Sequence, residues 1–153
     1  MDQTRLKLKV SSQQMKALHL LLTISIMVFI FIQSALPADL SKEESGVIVK
    51  VISGLFHTDM ERTSFAVRKC AHFTEYLCLG ISLLWTVRDL AMLPGRVPFV
   101  LSPWIIGTVY AVTDELHQAF IPGRSCEPRD VIIDSVGVAA GVLMAVLFDK
   151  IRN

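Results

Sequence analysis

Four stretches of the chain keep their apolar residues together over the length of about 20 residues that a helix needs to cross a bilayer. They are residues 17–36 (ALHLLLTISIMVFIFIQSAL), 67–87, 99–118 and 130–149. Charged positions are spread unevenly among them: the second stretch opens with charges, the third closes with them and the fourth opens with them. The pattern predicts an all-α polytopic membrane protein, a four-transmembrane-helix bundle forming one domain over residues 1–153.

The segment between the first two spans has a different rhythm. SKEE at residues 41–44 matches a capping box, in which a serine hydroxyl and a glutamate carboxylate satisfy free amides at a helix start. Val47, Ile48, Val51, Ile52 and Leu55 then fall on one helical face. This predicts a short amphipathic helix lying on the outer membrane surface. TDME at residues 58–61 is a second capping-box match, placed to start the helix that becomes span two.

Composition supports the membrane class. Of 153 residues, 52% are hydrophobic and 19% charged, below the quarter or so of charged residues usual in a soluble domain. The net charge of +1 gives no electrostatic case for nucleic acid. There is no phosphate-binding glycine loop, repeat or low-complexity tract, and no cofactor is expected. Cys70, Cys78 and Cys126 make neither a zinc pattern nor an even disulfide framework.

Arg5, Lys7, Lys9 and Lys16 precede the first span, which places the amino terminus in the cytoplasm by the positive-inside rule. The apolar stretch exceeds the roughly 7–15 residues of a signal peptide, so it is read as an uncleaved anchor. Four spans then put both termini inside, with Arg88 and Arg96 in the cytoplasmic connection between spans two and three.

With that topology the spans' charged positions gather at one membrane face. Span two opens with Arg68, Lys69, His72 and Glu75, and span three ends with Asp114, Glu115, His117 and Gln118. Pro122, Gly123, Arg124 and Arg129 lie in the following loop, and span four opens with Asp130 and Asp134. At a rise of about 1.5 Å per residue these groups occupy one layer just below the outer interface. They also form stripes at helical spacing: Arg68–His72–Glu75–Leu79, Gly107–Ala111–Asp114–Gln118 and Asp130–Asp134–Gly137–Gly141. Small residues beneath the acidic ones predict close helix packing, with Gly137 and Gly141 forming a GxxxG pair. The expected result is a tight bundle below a polar cup, with the PGR turn tipping Arg124 over it and Glu75 as its expected partner.

These residues carry a resemblance. RKCAHFTEYLCLG on span two, TDELHQAFIPGRS closing span three and RDVIIDSVGVAAG on span four, in that order, resemble the VanZ-like family of small bacterial membrane proteins. FIQSALP at the end of span one fits the same layout less distinctively. The resemblance implies a multi-pass protein of the bacterial cytoplasmic membrane, in a family whose founding member is associated with resistance to the glycopeptide teicoplanin. Its motif residues correspond here to Lys69, His72, Glu75, Tyr76, Asp114, Glu115, His117, Gln118, Gly123, Arg124, Asp130 and Gly137. Span four of the family usually carries an asparagine where this chain has Asp134.

Three functional readings follow. In the first, the cup recognises an anionic envelope lipid or lipid-linked cell-wall precursor through Arg68, Lys69, Tyr76, Glu115, Gln118, Arg124, Asp130 and Asp134, the arginines offering a two-pronged grip on phosphate or carboxylate. In the second, the protein is an enzyme on such a lipid, with His72 and His117 as acid and base and Glu75 or Asp114 orienting a ring. In the third, the charges are a structural ion-pair network without a ligand. A metal is disfavoured by the neighbouring cations and by the absence of a ligand signature in H-x-x-E and E-x-H.

Overall fold

In the computed structural model, which describes residues 3–90, 100–124 and 126–152, the chain forms α1 (Gln3–Ala35), α2 (Ala38–Phe56), α3 (Met60–Leu90), α4 (Leu101–Gln118) and α5 (Pro128–Arg152). Every regular element among the described residues is helical. Arg96 of the expected cytoplasmic connection lies outside them.

The breaks between helices have local causes. Pro37, at φ −52° and ψ 149°, disfavours helical geometry at the residue before it and separates α1 from α2. α2 ends at His57, whose left-handed φ of 52° lets its N–H reach the Ser53 carbonyl. α3 is capped by Asp59, the residue before it, whose carboxylate accepts the Arg62 N–H at 3.2 Å. The cap expected at Thr58 is thus one residue later, and the Thr58 hydroxyl instead meets that of Thr63 at 2.8 Å. The SKEE box does not start α2 either: the helix begins at Ala38, with Pro37 at the cap position. The side chains of residues 41–44 lie outside the described set.

Ser12–Ala35, Met60–Leu90 and Pro128–Ile151 are each long and apolar enough to cross a membrane. The third expected span, residues 99–118, corresponds to α4, which has only 18 residues and ends in Asp114, Glu115, His117 and Gln118. Length and composition therefore mark three crossings, because the polar last turn of α4 offsets its apolar first turns.

α3 is the central helix, packing against all four others, and its most extensive partner is α5. Gly80, Gly137 and Gly141 line this contact: a Cβ built on Gly141 would lie 2.0 Å from the Leu77 carbonyl oxygen, and one on Gly80 would lie 2.3 Å from that of Val138. The small-residue stripe thus lets the two backbones touch. Tyr76, Leu79, Leu84, Val138 and Val142 form the dry centre, joined by Ile30 from α1 and Ala111 from α4. The outward faces carry Leu21, Phe29 and Ile32 on α1 and Ile132, Leu143 and Phe148 on α5, all exposed, as suits surfaces solvated by lipid tails.

α2 packs against α3 and buries Val49, while Val47, Ile48, Val51 and Leu55 of the expected amphipathic face stay exposed. That face points away from the bundle. At the end of the bundle opposite the α4–α5 loop, a second polar layer joins three helices. His19 Nδ1 and Asp89 Oδ2 share a hydrogen bond at 2.6 Å, the Thr23 and Thr86 hydroxyls meet at 2.8 Å, and Arg88 pairs with Asp149. The expectation that polar groups gather at one face alone is corrected by His19, a titratable residue inside the first apolar stretch that finds its acid 70 residues away.

Candidate functional site: a polar layer beneath the α4–α5 loop

All three predicted stripes turn inward. Leu79, Gly107, Ala111, Asp114, Gln118, Asp130, Asp134, Gly137 and Gly141 are buried, and Arg68, His72 and Glu75 are half-buried. α3, α4 and α5 each contribute one wall, with the C-terminal end of α1 as a fourth side.

The loop that closes the layer is shaped by its own sequence. Arg124 N–H donates to the Ile121 carbonyl at 3.1 Å across a turn that places Pro122 second and Gly123 third. Gly123 has φ 75°, the positive value that the third position of a type II turn requires. Gly123→Ala is expected to lower stability by about 1 kcal/mol, read as a lower unfolding midpoint in detergent. An unchanged midpoint would mean that the loop adopts another turn.

The turn delivers Arg124 to a place the sequence did not indicate. Its Nε donates to the Leu36 carbonyl at 2.8 Å, its Nη2 to the Gln33 carbonyl at 2.9 Å and its Nη1 to Gln118 Oε1 at 3.2 Å. A helix ends with carbonyls that have no partner in the helix and with negative partial charge. α1 has no basic residue in its last turn, so Arg124 supplies that cation from another part of the chain. No ion pair joins Glu75 to Arg124 among the described residues; the guanidinium is taken by carbonyls instead. Burial, then repulsion from Arg68, lowers the Arg124 pKa, and Asp114, Glu115 and Glu75 oppose that shift.

Glu115 plays the converse part. It is 2% exposed, and one carboxylate oxygen accepts the Glu127 N–H just ahead of Pro128, the first residue of α5. A carboxylate at a helix start complements the positive end of the helix. Proline is well placed there because it has no N–H to leave unpaired. Glu127 had no role in the sequence reading, although its position directly before a helix-initiating proline was a signal.

His117 turns toward α1. Its ring stacks on Phe31 of α1 at a centroid distance of 4.6 Å and does not line the cavity that His72 and Gln118 share. One residue is about 100° of helix rotation, so a side chain beside the inward-facing Gln118 faces α1. Of the two histidines, His72 alone lines that cavity.

A cavity of about 110 Å³ remains, lined by Phe65, Arg68, Lys69, His72, Gln118, Gly123, Arg124, Glu127 and Asp130. Lys69 is ion-paired with Asp130, has Glu127 at 3.8 Å and lies over the Phe65 ring. The Arg68 Nε is buried without a hydrogen-bond partner. Deeper still, Asp114 Oδ2 accepts from Gln118 Nε2 at 3.2 Å, whereas Asp114 Oδ1, both oxygens of Asp134, His72 Nδ1 and the Tyr76 hydroxyl have none. The closed ion-pair lattice of the third reading is not formed. Among the described residues, Lys69–Asp130 is the only pair joining its proposed cations and carboxylates within 4.0 Å. Cys70, Cys78 and Cys126 are free thiols.

The helices therefore form a membrane-type bundle whose polar layer is built from the ends of four of them. The chain belongs to the VanZ/LLP1 family, whose profile matches residues 19–149 and so covers all three walls and the loop. No curated protein and no solved structure matches the chain significantly.

Proposed function

We propose that the cavity beneath the α4–α5 loop receives the anionic head group of an envelope lipid or lipid-linked cell-wall precursor. In this reading α4 also crosses the membrane, as the third of four spans, both termini are cytoplasmic, the host membrane is the bacterial cytoplasmic membrane, and the cavity opens toward the outer leaflet. The carrying observation is the cluster of Arg68, Lys69 and Arg124 around a space with the unpartnered Arg68 Nε at its wall. Lys69 is neutralised by Asp130 and Arg124 is held by carbonyls, so Arg68 is the cation left to grip an incoming anion. A volume of about 110 Å³ is well below the 300–1,000 Å³ or so of pockets that enclose a drug-sized ligand. It suits one phosphate or carboxylate, with the rest of the lipid lying outside along the exposed apolar helix faces.

The test is mass spectrometry of lipids that co-purify with the detergent-solubilised chain. The intact protein is expected to retain anionic lipid through washing, and Arg68→Gln to lose most of it while unfolding at the same midpoint. Equal lipid retention by the folded variant would refute the head-group reading. A contribution to glycopeptide resistance is a separate expectation, checked by whether expressing the chain raises the teicoplanin concentration a host tolerates.

A further inference from the structure

We propose that His72, Asp114 and Asp134 form a binding site for one divalent transition-metal ion of the manganese or zinc kind. This site is distinct from the head-group reading and does not rest on it, although His72 also lines the cavity above.

The residues come from three different helices, α3, α4 and α5, and each offers a ligand atom within 4.8 Å of the other two. Three points so placed share a centre within about 2.8 Å of each, against metal–ligand bonds of about 2.0–2.2 Å. A contraction of about 0.6–0.8 Å per ligand, within the reach of side-chain rotations, closes the set around an ion.

The second observation is independent of that spacing. Asp134 is 0% exposed and neither of its oxygens has a hydrogen-bond partner; Asp114 is 3% exposed and its Oδ1 has none; His72 Nδ1 is buried and unpartnered. Buried polar atoms are almost always satisfied, so several orphans around one point call for a missing partner. His72 Nδ1 lies 3.8 Å from Asp134 Oδ1, too far for a hydrogen bond.

Neighbouring cations do not fill the gap. Lys69 is committed to Asp130, and Arg124 to the Gln33 and Leu36 carbonyls and Gln118. Among the described residues, the two carboxylates thus face an imidazole with no lysine or arginine within 4.0 Å of either, and a charge of +2 would balance them. Gln118 orients the ligand as metal sites commonly require: its Nε2 holds Asp114 Oδ2 and leaves Oδ1 free to bind. One imidazole nitrogen with carboxylate oxygens suits manganese or zinc, whereas calcium and magnesium favour oxygen alone.

Untagged full-length chain, purified in detergent and stripped with a chelator, is dialysed against Mn²⁺ and separately against Zn²⁺, and bound metal is counted by mass spectrometry. One ion per chain is expected, and pulsed electron paramagnetic resonance of the Mn²⁺ form should show coupling to an imidazole nitrogen. Asp134→Asn, nearly the same shape, should weaken binding at least tenfold, and His72→Gln should abolish the nitrogen coupling. Glu61→Gln, exposed in the first turn of α3, should bind as the parent does. Failure of the unaltered chain to bind either ion stoichiometrically would overturn the proposal and leave the two carboxylates sharing a proton. So would a bound Mn²⁺ without nitrogen coupling, or undiminished affinity in folded Asp134→Asn.

Discussion

Gly141→Val is expected to destroy the bundle, lowering stability by about 3 kcal/mol or more and leaving little folded chain in the membrane. The Cβ alone would stand 2.0 Å from the Leu77 carbonyl oxygen and 2.9 Å from its carbon, with the Ile81 nitrogen at 3.1 Å. These are backbone atoms in the middle of α3, so no side-chain rotation relieves the overlap. α5 would have to move outward, separating Val138 and Val142 from Leu79 and Leu84 in the core. Gly141→Ala should already lower the midpoint of unfolding by sodium dodecyl sulfate in mixed micelles. Gly54→Ala provides the contrast: nothing lies within 4 Å of its added Cβ, so the higher helix propensity of alanine should raise stability, by up to about 1 kcal/mol. Equal midpoints for Gly141→Ala and the parent would show that α3 and α5 do not pack this closely.

Arg124→Ala should produce the second-largest loss, about 3 kcal/mol, since it removes three hydrogen bonds from a charged donor and such bonds contribute about 1.5–3 kcal/mol each before relaxation. The damage should be directional. α1 loses the cation at its carbonyl end, so amide exchange should rise at residues 33–36 and in the loop, while the Gly80–Val138 region stays protected. Arg124→Lys should recover less than half of the loss, because a single ammonium cannot span the Gln33 and Leu36 carbonyls together with Gln118 in the flat geometry of a guanidinium. Full recovery by lysine would mean that charge alone, rather than the fork of hydrogen bonds, holds the loop to α1.

The two substitutions probe different kinds of legibility. Gly141 was readable because helix periodicity is local: a small residue four positions from Gly137, beneath Asp130 and Asp134, must share their face whatever that face meets. The same logic placed Asp114 and Gln118 inward with Ala111 and Gly107. The PGR turn was readable too, since glycine at a left-handed position is a property of the turn itself. Arg124 was readable only as a cation near the mouth. Its partners are main-chain carbonyls 88 and 91 residues away, and carbonyls have no signature in a sequence.

Charge complementarity found Lys69 with Asp130 but missed the role of Arg124. Opposite charges suggested ion pairs such as Glu75 with Arg124, yet the fold uses Arg124 on the end of α1 and Glu115 on the start of α5. Helix ends carry partial charges that compete with side chains for buried ions, and a tally of acids and bases omits them. The metal-like convergence was hidden for a related reason. His72, Asp114 and Asp134 lie in three helices, so no short spacing motif could announce them.

The helical class, three of the apolar spans, the inward stripes on α3, α4 and α5 and the glycine turn were all legible in the residues alone, because each follows from periodicity or backbone preference within a few residues. Packing was needed to show that His117 faces Phe31, that His19 meets Asp89, that Arg124 caps a helix 88 residues away while Glu115 meets the start of α5, and that His72, Asp114 and Asp134 converge unpartnered. Those outcomes depend on the rotation and depth of one helix against another. Rotation and depth are set by where glycines let backbones touch, which is a property of pairs of helices rather than of any one of them.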